Sequence, residues 1–359
     1  MFLIMYGYSN DNKGNQMKRI ISGLLALLVV LGLFSACKAE EPAKSEIFAL
    51  NTYVTQKEVY GKEKQAAVDE VNEFIREVEQ KLSLYVTGSD VDRINQNAGI
   101  SPVKVEDYTF ELIQTGKRYS KLSDGRFDIT IAPLTTLWGI TSENPRVPSQ
   151  EEIDAARKLV DYQKIRLDEA EKTVMLEEKG MALDLGGIAK GYISNAIKEI
   201  YDRHSITSAL VSIGGNIDTY GRKPDGKLFK LGIRDPKDRT GMDYIGKLQV
   251  ENKVVSTSGA YERYFTDEAT GKTYHHILDP KTGYPADSDL QSVTVISDNG
   301  GLSDYLSTTL FMAGREHIAD YIHDGRFDVI VIDRDDNVYL SDGIRDSFEL
   351  TSEDYLLHE

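Results

Sequence analysis

Thr273-Tyr-His-His-Ile-Leu-Asp-Pro-Lys-Thr-Gly-Tyr-Pro285 reads as a strand running into a tight turn. Asp279-Pro280 and Thr282-Gly283 supply turn chemistry directly after the apolar pair Ile277 and Leu278. The end of a strand is a rigid place from which to present a side chain, and here the candidates are His275 and His276. Successive strand residues face opposite ways, so one ring is expected to point inward and the other to be free for chemistry. Histidine titrates near neutrality, which suits proton transfer. With 6 His in 359 residues, an adjacent pair beside a turn marks a candidate site.

Outward from this stretch, helices and strands alternate irregularly. Val68, Val71, Phe74, Ile75, Val78 and Leu82 recur at helical spacing and predict a helix over 64–82. A second helix is expected over 107–122, stopping at Asp124-Gly125. Ser149 and Glu152 form a capping box for a helix at 150–159. Ile188, Tyr192, Ala196, Ile197 and Ile200 mark another. Strands are expected at 208–213, 228–234, 246–256, 272–278, 290–296 and 327–333, each followed by polar or Gly/Pro punctuation. The mixture predicts an α+β fold with mixed, largely antiparallel sheets and packed helices. One echo, Asp124-Gly-Arg-Phe-Asp-Ile129 against Asp324-Gly-Arg-Phe-Asp-Val329, leaves two readings open: an internal duplication, or shared chemistry at helix-to-strand junctions.

The N-terminus carries a compartment signal. Met17-Lys18-Arg19 precedes an apolar run from Ile20 to Phe34, which ends in Leu33-Phe34-Ser35-Ala36-Cys37. That is the layout of a secretory signal rather than a spanning helix. The small residues before Cys37 resemble a bacterial lipobox, in which the cysteine becomes the lipidated first residue. Cys37 is also the only cysteine, and an exported thiol with no partner serves best as an attachment point. The expected organisation is a signal peptide with an upstream extension over 1–36, a lipidated Cys37 and tether over 37–46, and a catalytic domain over 47–359. The protein is thus expected at the extracytoplasmic face of the cell membrane.

Loss of residues 1–36 removes Lys13, Lys18, Arg19 and Asp11, a net +2, and takes the formal charge from −16 to −18. So acidic a body argues against nucleic acid and against electrostatic attachment to anionic lipid. An anionic ligand would need local cations, which points towards a metal ion. The mature length of about 320 residues suits two domains or one large duplicated unit.

Four further motifs join the histidine turn. Gly125-Arg-Phe-Asp-Ile-Thr-Ile-Ala-Pro-Leu134 precedes Trp138, the only tryptophan. Asp184-Leu-Gly-Gly-Ile-Ala-Lys-Gly191 is a Gly-rich turn into a helix, where backbone N–H groups can approach a phosphate. It matches neither the dinucleotide-binding nor the P-loop spacing. Ile213-Gly-Gly-Asn216 ends a strand with room for a ligand. Asp304 and Thr308 lie four apart on an expected helix, so their oxygens share a face. Carboxylate, hydroxyl and turn carbonyls form the hard-oxygen environment that Mg²⁺ prefers.

In this order the motifs resemble the ApbE family, the FAD:protein FMN transferases, many of them bacterial lipoproteins. The resemblance runs from about Phe48 to Gly314. It includes Leu82-Ser-Leu-Tyr85, Ser89-Asp-Val91, Ile94-Asn95, Gly232-Ile-Arg-Asp-Pro236, Ser256-Thr-Ser-Gly259, His276-Ile-Leu-Asp-Pro280 and Ser303-Asp-Tyr-Leu-Ser-Thr-Thr-Leu-Phe-Met-Ala-Gly314. It implies an ApbE-like fold and an enzyme that splits FAD, places FMN on a Thr or Ser of an exported acceptor protein, and releases AMP. It further implies Mg²⁺ held by Asp304, Thr308 and the Gly187 carbonyl. FAD contacts are implied at Leu50, Tyr85, Arg126, Phe127, Asp128, Asp184 and Lys190, with Ile277 or Leu278 near the flavin end. His276 is the implied base, being in register with His-Ile-Leu-Asp-Pro, and Asp279 is the next candidate. Leu50-Asn51 stands where Met and Gly are frequent, and Ser303 and Tyr305 replace smaller residues. Two other functions use the same features: hydrolysis of FAD to FMN and AMP, and FAD binding without catalysis.

Overall fold

The longest apolar periodicities become the helices they predict. In the computed structural model, which describes residues 40–318 and 325–358, the helix Lys64–Leu82 buries Val68, Val71, Ile75, Val78 and Leu82 as one stripe. The helix Asp107–Leu122 fills the expected stretch. Ser149 and Glu152 cap each other as expected, and their helix spans Gln150–Arg157. A fourth, Ala189–Arg203, follows the Gly-rich turn.

Nine strands form the main sheet, in the spatial order Ala43–Ala49, Thr52–Gly61, Ile206–Ile213, Asn216–Gly221, Val254–Gly259, Leu290–Ser297, Asp328–Asp333, Asn337–Leu340 and Leu356–His358. Neighbours are antiparallel except the last pair, which is parallel. The helices Lys64–Leu82, Ala189–Arg203 and Gly300–Ala313 pack against this sheet. A second, three-stranded sheet of Phe229–Arg234, Tyr244–Val250 and Phe348–Leu350 packs its Phe229, Leu231 and Leu248 with Val255, Ile296, Ile330 and Ile332 of the main sheet. The middle strands are therefore buried on both faces and read as continuous apolar runs. A buried polar clamp ties the first helix down: the Gln56 amide donates to the Val68 carbonyl at 3.1 Å and accepts from the Tyr201 hydroxyl at 2.8 Å.

Several expectations need correction. Residues 246–256 are two strands in different sheets, Tyr244–Val250 and Val254–Gly259, because the chain reverses at Asn252, φ 53°. Asn accepts the left-handed conformation that few other residues adopt. The strand expected over 272–278 is only Thr273–His275, paired with Tyr264–Thr266. Ile277 and Leu278 lie beyond it as core residues. The hairpin Ala43–Ala49/Thr52–Gly61 carries only half a turn signal, since its tip pairs Asn51 with Leu50, both at φ 56°. A leucine there is strained, and the Glu79 carboxylate secures it by accepting the Leu50 N–H at 2.7 Å. The strand Ala43–Ala49 also takes up part of the stretch read as a tether.

The two echoed segments occupy unlike places. Asp124 and Gly125, at φ 52° and 72°, lead from a helix to the short helix Ala132–Trp138, whereas Gly325 leads into the strand Asp328–Asp333. Both phenylalanines, Phe127 and Phe327, are buried in the main core. Asp324, Cys37 and the signal stretch lie outside the described residues.

Candidate active site

Asp304 sits in the first turns of the helix Gly300–Ala313, whose Asn299 cap accepts the Leu302 N–H at 3.0 Å. Two glycines let this helix touch the helix Ala189–Arg203. A Cβ on Gly191 would lie 2.1 Å from the Gly300 carbonyl oxygen, a contact no side chain could make. The close approach delivers the Gly191 N–H to Asp304 Oδ2 at 2.8 Å and brings the Lys190 ammonium within 3.3 Å of Oδ1. Gly214 and Gly215, at φ 54° and 96°, turn the neighbouring hairpin so that Asn216 donates to Asp304 Oδ1 at 2.7 Å. Asp304 is 4% exposed. Thr308, one turn on, is half-buried, donates to the Asp304 carbonyl at 3.3 Å and shares a hydrogen bond with Ser258 at 3.1 Å.

The Gly-rich turn is braced from the side. The Asp184 carboxylate accepts from Thr135 at 3.1 Å and from the Gly186 N–H at 2.9 Å. A Cβ on Gly187 would stand 2.8 Å from the Phe127 ring. Phe127 meets Tyr305 edge-on, and Tyr305 stacks on Tyr119 with centroids 4.2 Å apart. The bulk of Tyr305 thus forms the packing that links the Gly187 turn to the Asp304 helix.

These groups fit a hard divalent cation. A carboxylate offers about four lone-pair positions; donors engage three on Asp304, and the longest contact is to another cation, Lys190. Thr308 adds a hydroxyl. Among the described residues no three His, Cys, Asp or Glu side chains gather as a metal cluster. An ion here would rely on one carboxylate completed by hydroxyl, carbonyl, water or substrate oxygens, which is how Mg²⁺ is commonly held beside phosphates.

His275 and His276 divide their roles by hydrogen bonding. His275 Nε2 lies 3.0 Å from the Ala286 carbonyl, which it can only donate to, and Nδ1 accepts the Ile277 N–H at 3.3 Å. Both nitrogens are used, and the ring packs on Phe311. Burial lowers its pKa. His276 lies just past the strand. Its backbone N–H and Nδ1 both meet the Arg263 carbonyl, at 3.0 and 3.2 Å. A proton on Nδ1 satisfies that carbonyl and leaves Nε2 with a lone pair, the tautomer a general base requires. Burial first, then the positive charge of Arg263, pushes its pKa down to about 3, with Lys190 contributing. His276 is therefore neutral and close enough to Lys190 to feel its charge.

Trp138, whose part the sequence left open, anchors the histidine turn by donating to the Gly283 carbonyl at 2.9 Å. Asp279 organises the same turn by accepting the Lys281 N–H at 2.8 Å. Asp128 is turned inward, with one oxygen bound to the Thr130 N–H and hydroxyl and the other to the Tyr162 N–H. Burial raises its pKa. Its carboxylate braces the loop rather than facing a ligand. Ile277 and Leu278 are buried, and Leu50 stands on the hairpin tip. Tyr85 is exposed and its hydroxyl lies near Thr141 and Asp184. Among the described residues Arg126 and Arg263 have no carboxylate within ion-pair distance, which leaves their charges available to an anion. Asn216 and Ser258 lie in two of the quoted motifs, Ile213–Asn216 and Ser256–Gly259, but only the sheet register shows that they meet Asp304 and Thr308.

A buried carboxylate, a hydroxyl, unneutralised cations and a neutral histidine define a site for a phosphate-bearing substrate. The ApbE family matches this chain over residues 50–331, and the chain belongs to that family. It is 39% identical over 253 residues to an FAD:protein FMN transferase of Klebsiella pneumoniae, covering 70% of this chain and 77% of the relative. The FAD:protein FMN transferase of Treponema pallidum is 32% identical over 306 residues, with 81% and 84% covered. The solved ApbE protein of Thermotoga maritima superposes with a TM-score of 0.76 at 33% identity, over 84% of this chain and 97% of that one.

Proposed function

We propose that this chain transfers FMN from FAD to a threonine or serine hydroxyl of an exported protein, releasing AMP. The observation that carries the reading is His276, whose Nδ1 is tied to the Arg263 carbonyl and whose ring feels the charge of Lys190, itself paired with Asp304. In the reaction the acceptor oxygen bonds to the phosphorus bearing the riboflavin moiety. The bond from that phosphorus to the bridging oxygen breaks, and AMP leaves with the electron pair. The hydroxyl proton passes to His276 Nε2.

Mg²⁺ held by Asp304, Thr308 and the Gly187 carbonyl would neutralise charge developing on the bridging oxygen. Arg126, Lys190 and Arg263 attract the pyrophosphate, while Tyr85 offers aromatic surface to FAD and the buried Phe127 supports the Gly187 turn. The depressed basicity of His276 belongs to the free protein. A bound pyrophosphate sets negative charge against Arg263 and Lys190, two of the groups that oppose protonation, so substrate binding raises the proton affinity when the base is needed.

Incubation with FAD, Mg²⁺ and an FMN-accepting protein tests the reading. Covalent flavin fluorescence on the acceptor is expected; free FMN alone would mean hydrolysis, and unchanged FAD would mean binding only. The same reading has the enzyme working outside the membrane on a lipid attached to Cys37, supported by the basic, apolar and small-residue order of 17–37. No helix among the described residues is long and apolar enough to cross a membrane. Cys37→Ala should abolish fatty-acid labelling and release the protein from membranes, and continued labelling would refute the anchor.

A further inference from the structure

We propose that the cleft formed by Asn51, Thr141, Ser142, Glu262, Arg263 and Tyr264 receives the acceptor protein as an extended segment flanking the hydroxyl to be modified. The proposal rests on the transfer reading and adds where the second substrate enters.

The cleft has a volume of about 310 Å³ and is open to solvent. That lies at the low end of ligand pockets, roughly 300–1,000 Å³, and is small for a whole dinucleotide. Of the groups assigned to FAD only Arg263 lines it, and Tyr85 reaches its rim through Thr141, so the cleft lies beside the FAD site rather than within it. Arg263 joins it to the chemistry, because the residue that lines the cleft also gives the carbonyl that holds His276. A hydroxyl handing its proton to His276 therefore belongs to a chain lying against this loop.

The lining suits a peptide backbone. It presents an amide, two hydroxyls and a guanidinium with no carboxylate within ion-pair distance among the described residues, and Glu262 is held 3.4 Å from Arg234. Tyr264 also begins the strand Tyr264–Thr266, which pairs on one side only, with Thr273–His275. Among the described residues no strand covers its other edge. A two-stranded sheet is marginal alone, and an open edge invites a third, extended chain through main-chain hydrogen bonds. An acceptor added there would run from the open edge into the cleft, past the loop that holds His276.

Ser142→Trp fills the cleft from an exposed loop, at a position assigned neither to FAD nor to proton transfer. The test uses a purified FMN-accepting protein and a synthetic peptide spanning its modified threonine. The expected result is at least a tenfold rise in KM for either acceptor, with FAD affinity, read by flavin fluorescence, unchanged. In the unmodified enzyme, acceptor peptide should slow amide hydrogen exchange at 264–266. An unaltered acceptor KM together with unprotected amides would overturn the proposal, and so would a parallel loss of FAD affinity, which would assign the cleft to FAD. Failure of the unmodified enzyme to label any acceptor while cleaving FAD would instead overturn the transfer reading, and this assignment with it.

Discussion

Asp304 and His276, linked through the charge of Lys190, are held in opposite ways. Three donors from two other elements converge on the Asp304 carboxylate, between two helices in glycine contact and a nine-stranded sheet. His276 follows a three-residue strand in a two-stranded sheet, and a single carbonyl sets its tautomer. The contrast teaches a division of labour. The cation side is preorganised, as transition-state charge stabilisation demands. The proton-transfer side is slight and open-edged, which suits a partner that must arrive, react and leave.

The comparison breaks most severely at Gly191. A methyl group there would meet the Gly300 backbone, which cannot rotate away, so Gly191→Ala should cost about 3 kcal/mol or more. Thermal denaturation reads this directly, and an unchanged Tm would show that the helix contact does not hold the site. Next comes Asp304→Asn, which keeps the shape but loses the charge. FMN transfer should fall about 10²-fold, equivalent to roughly 3 kcal/mol of barrier, and need more Mg²⁺. A wild-type rate at limiting Mg²⁺ would remove Asp304 from the ion's coordination.

A smaller effect sharpens the account of the preorganised side. Asp218 is buried in the strand after Asn216, and its two oxygens have no hydrogen-bond partner within normal distance. Burial, with the Asp304 charge adding, pushes its pKa up to about 7. An acid whose folded pKa is raised disfavours folding once it must ionise. The penalty is absent below its unfolded pKa of about 3.9, grows as the pH rises towards 7, and is complete above that. Asp218→Asn should therefore raise the Tm by a few degrees at pH 8 and change it little at pH 4. An equal shift at both pH values would mean that packing, not ionisation, is responsible.

How much of this was legible beforehand follows the same division. Helices 64–82 and 107–122 show their bounds because helical periodicity is a local property, and the capping box of Ser149 and Glu152 spans only four residues. Asp304 and Thr308 could be paired because one helix carries both. Their partners could not: Asn216 and Gly191 lie 88 and 113 residues away from Asp304 in the chain, and Ser258 lies 50 from Thr308. Strand alternation separated His275 from His276, but the hydrogen bonds that distinguish them run to carbonyls of other loops. The first hairpin was hidden because Leu50 occupies a turn position where Gly or Asn is the usual signal.

The central claim is that His276 takes the acceptor proton while His275 supports the fold. It is tested by single-turnover FMN transfer at saturating FAD with His276→Ala and His275→Ala side by side. Loss of a general base typically costs about 10²–10⁴-fold. The His276 variant should fall by that factor with FAD and Mg²⁺ binding retained. The His275 variant, deprived of its bonds to Ala286 and Ile277, should melt earlier yet transfer at a near-normal rate when folded. Near-normal transfer by the His276 variant, with the loss found instead at His275, would contradict the account.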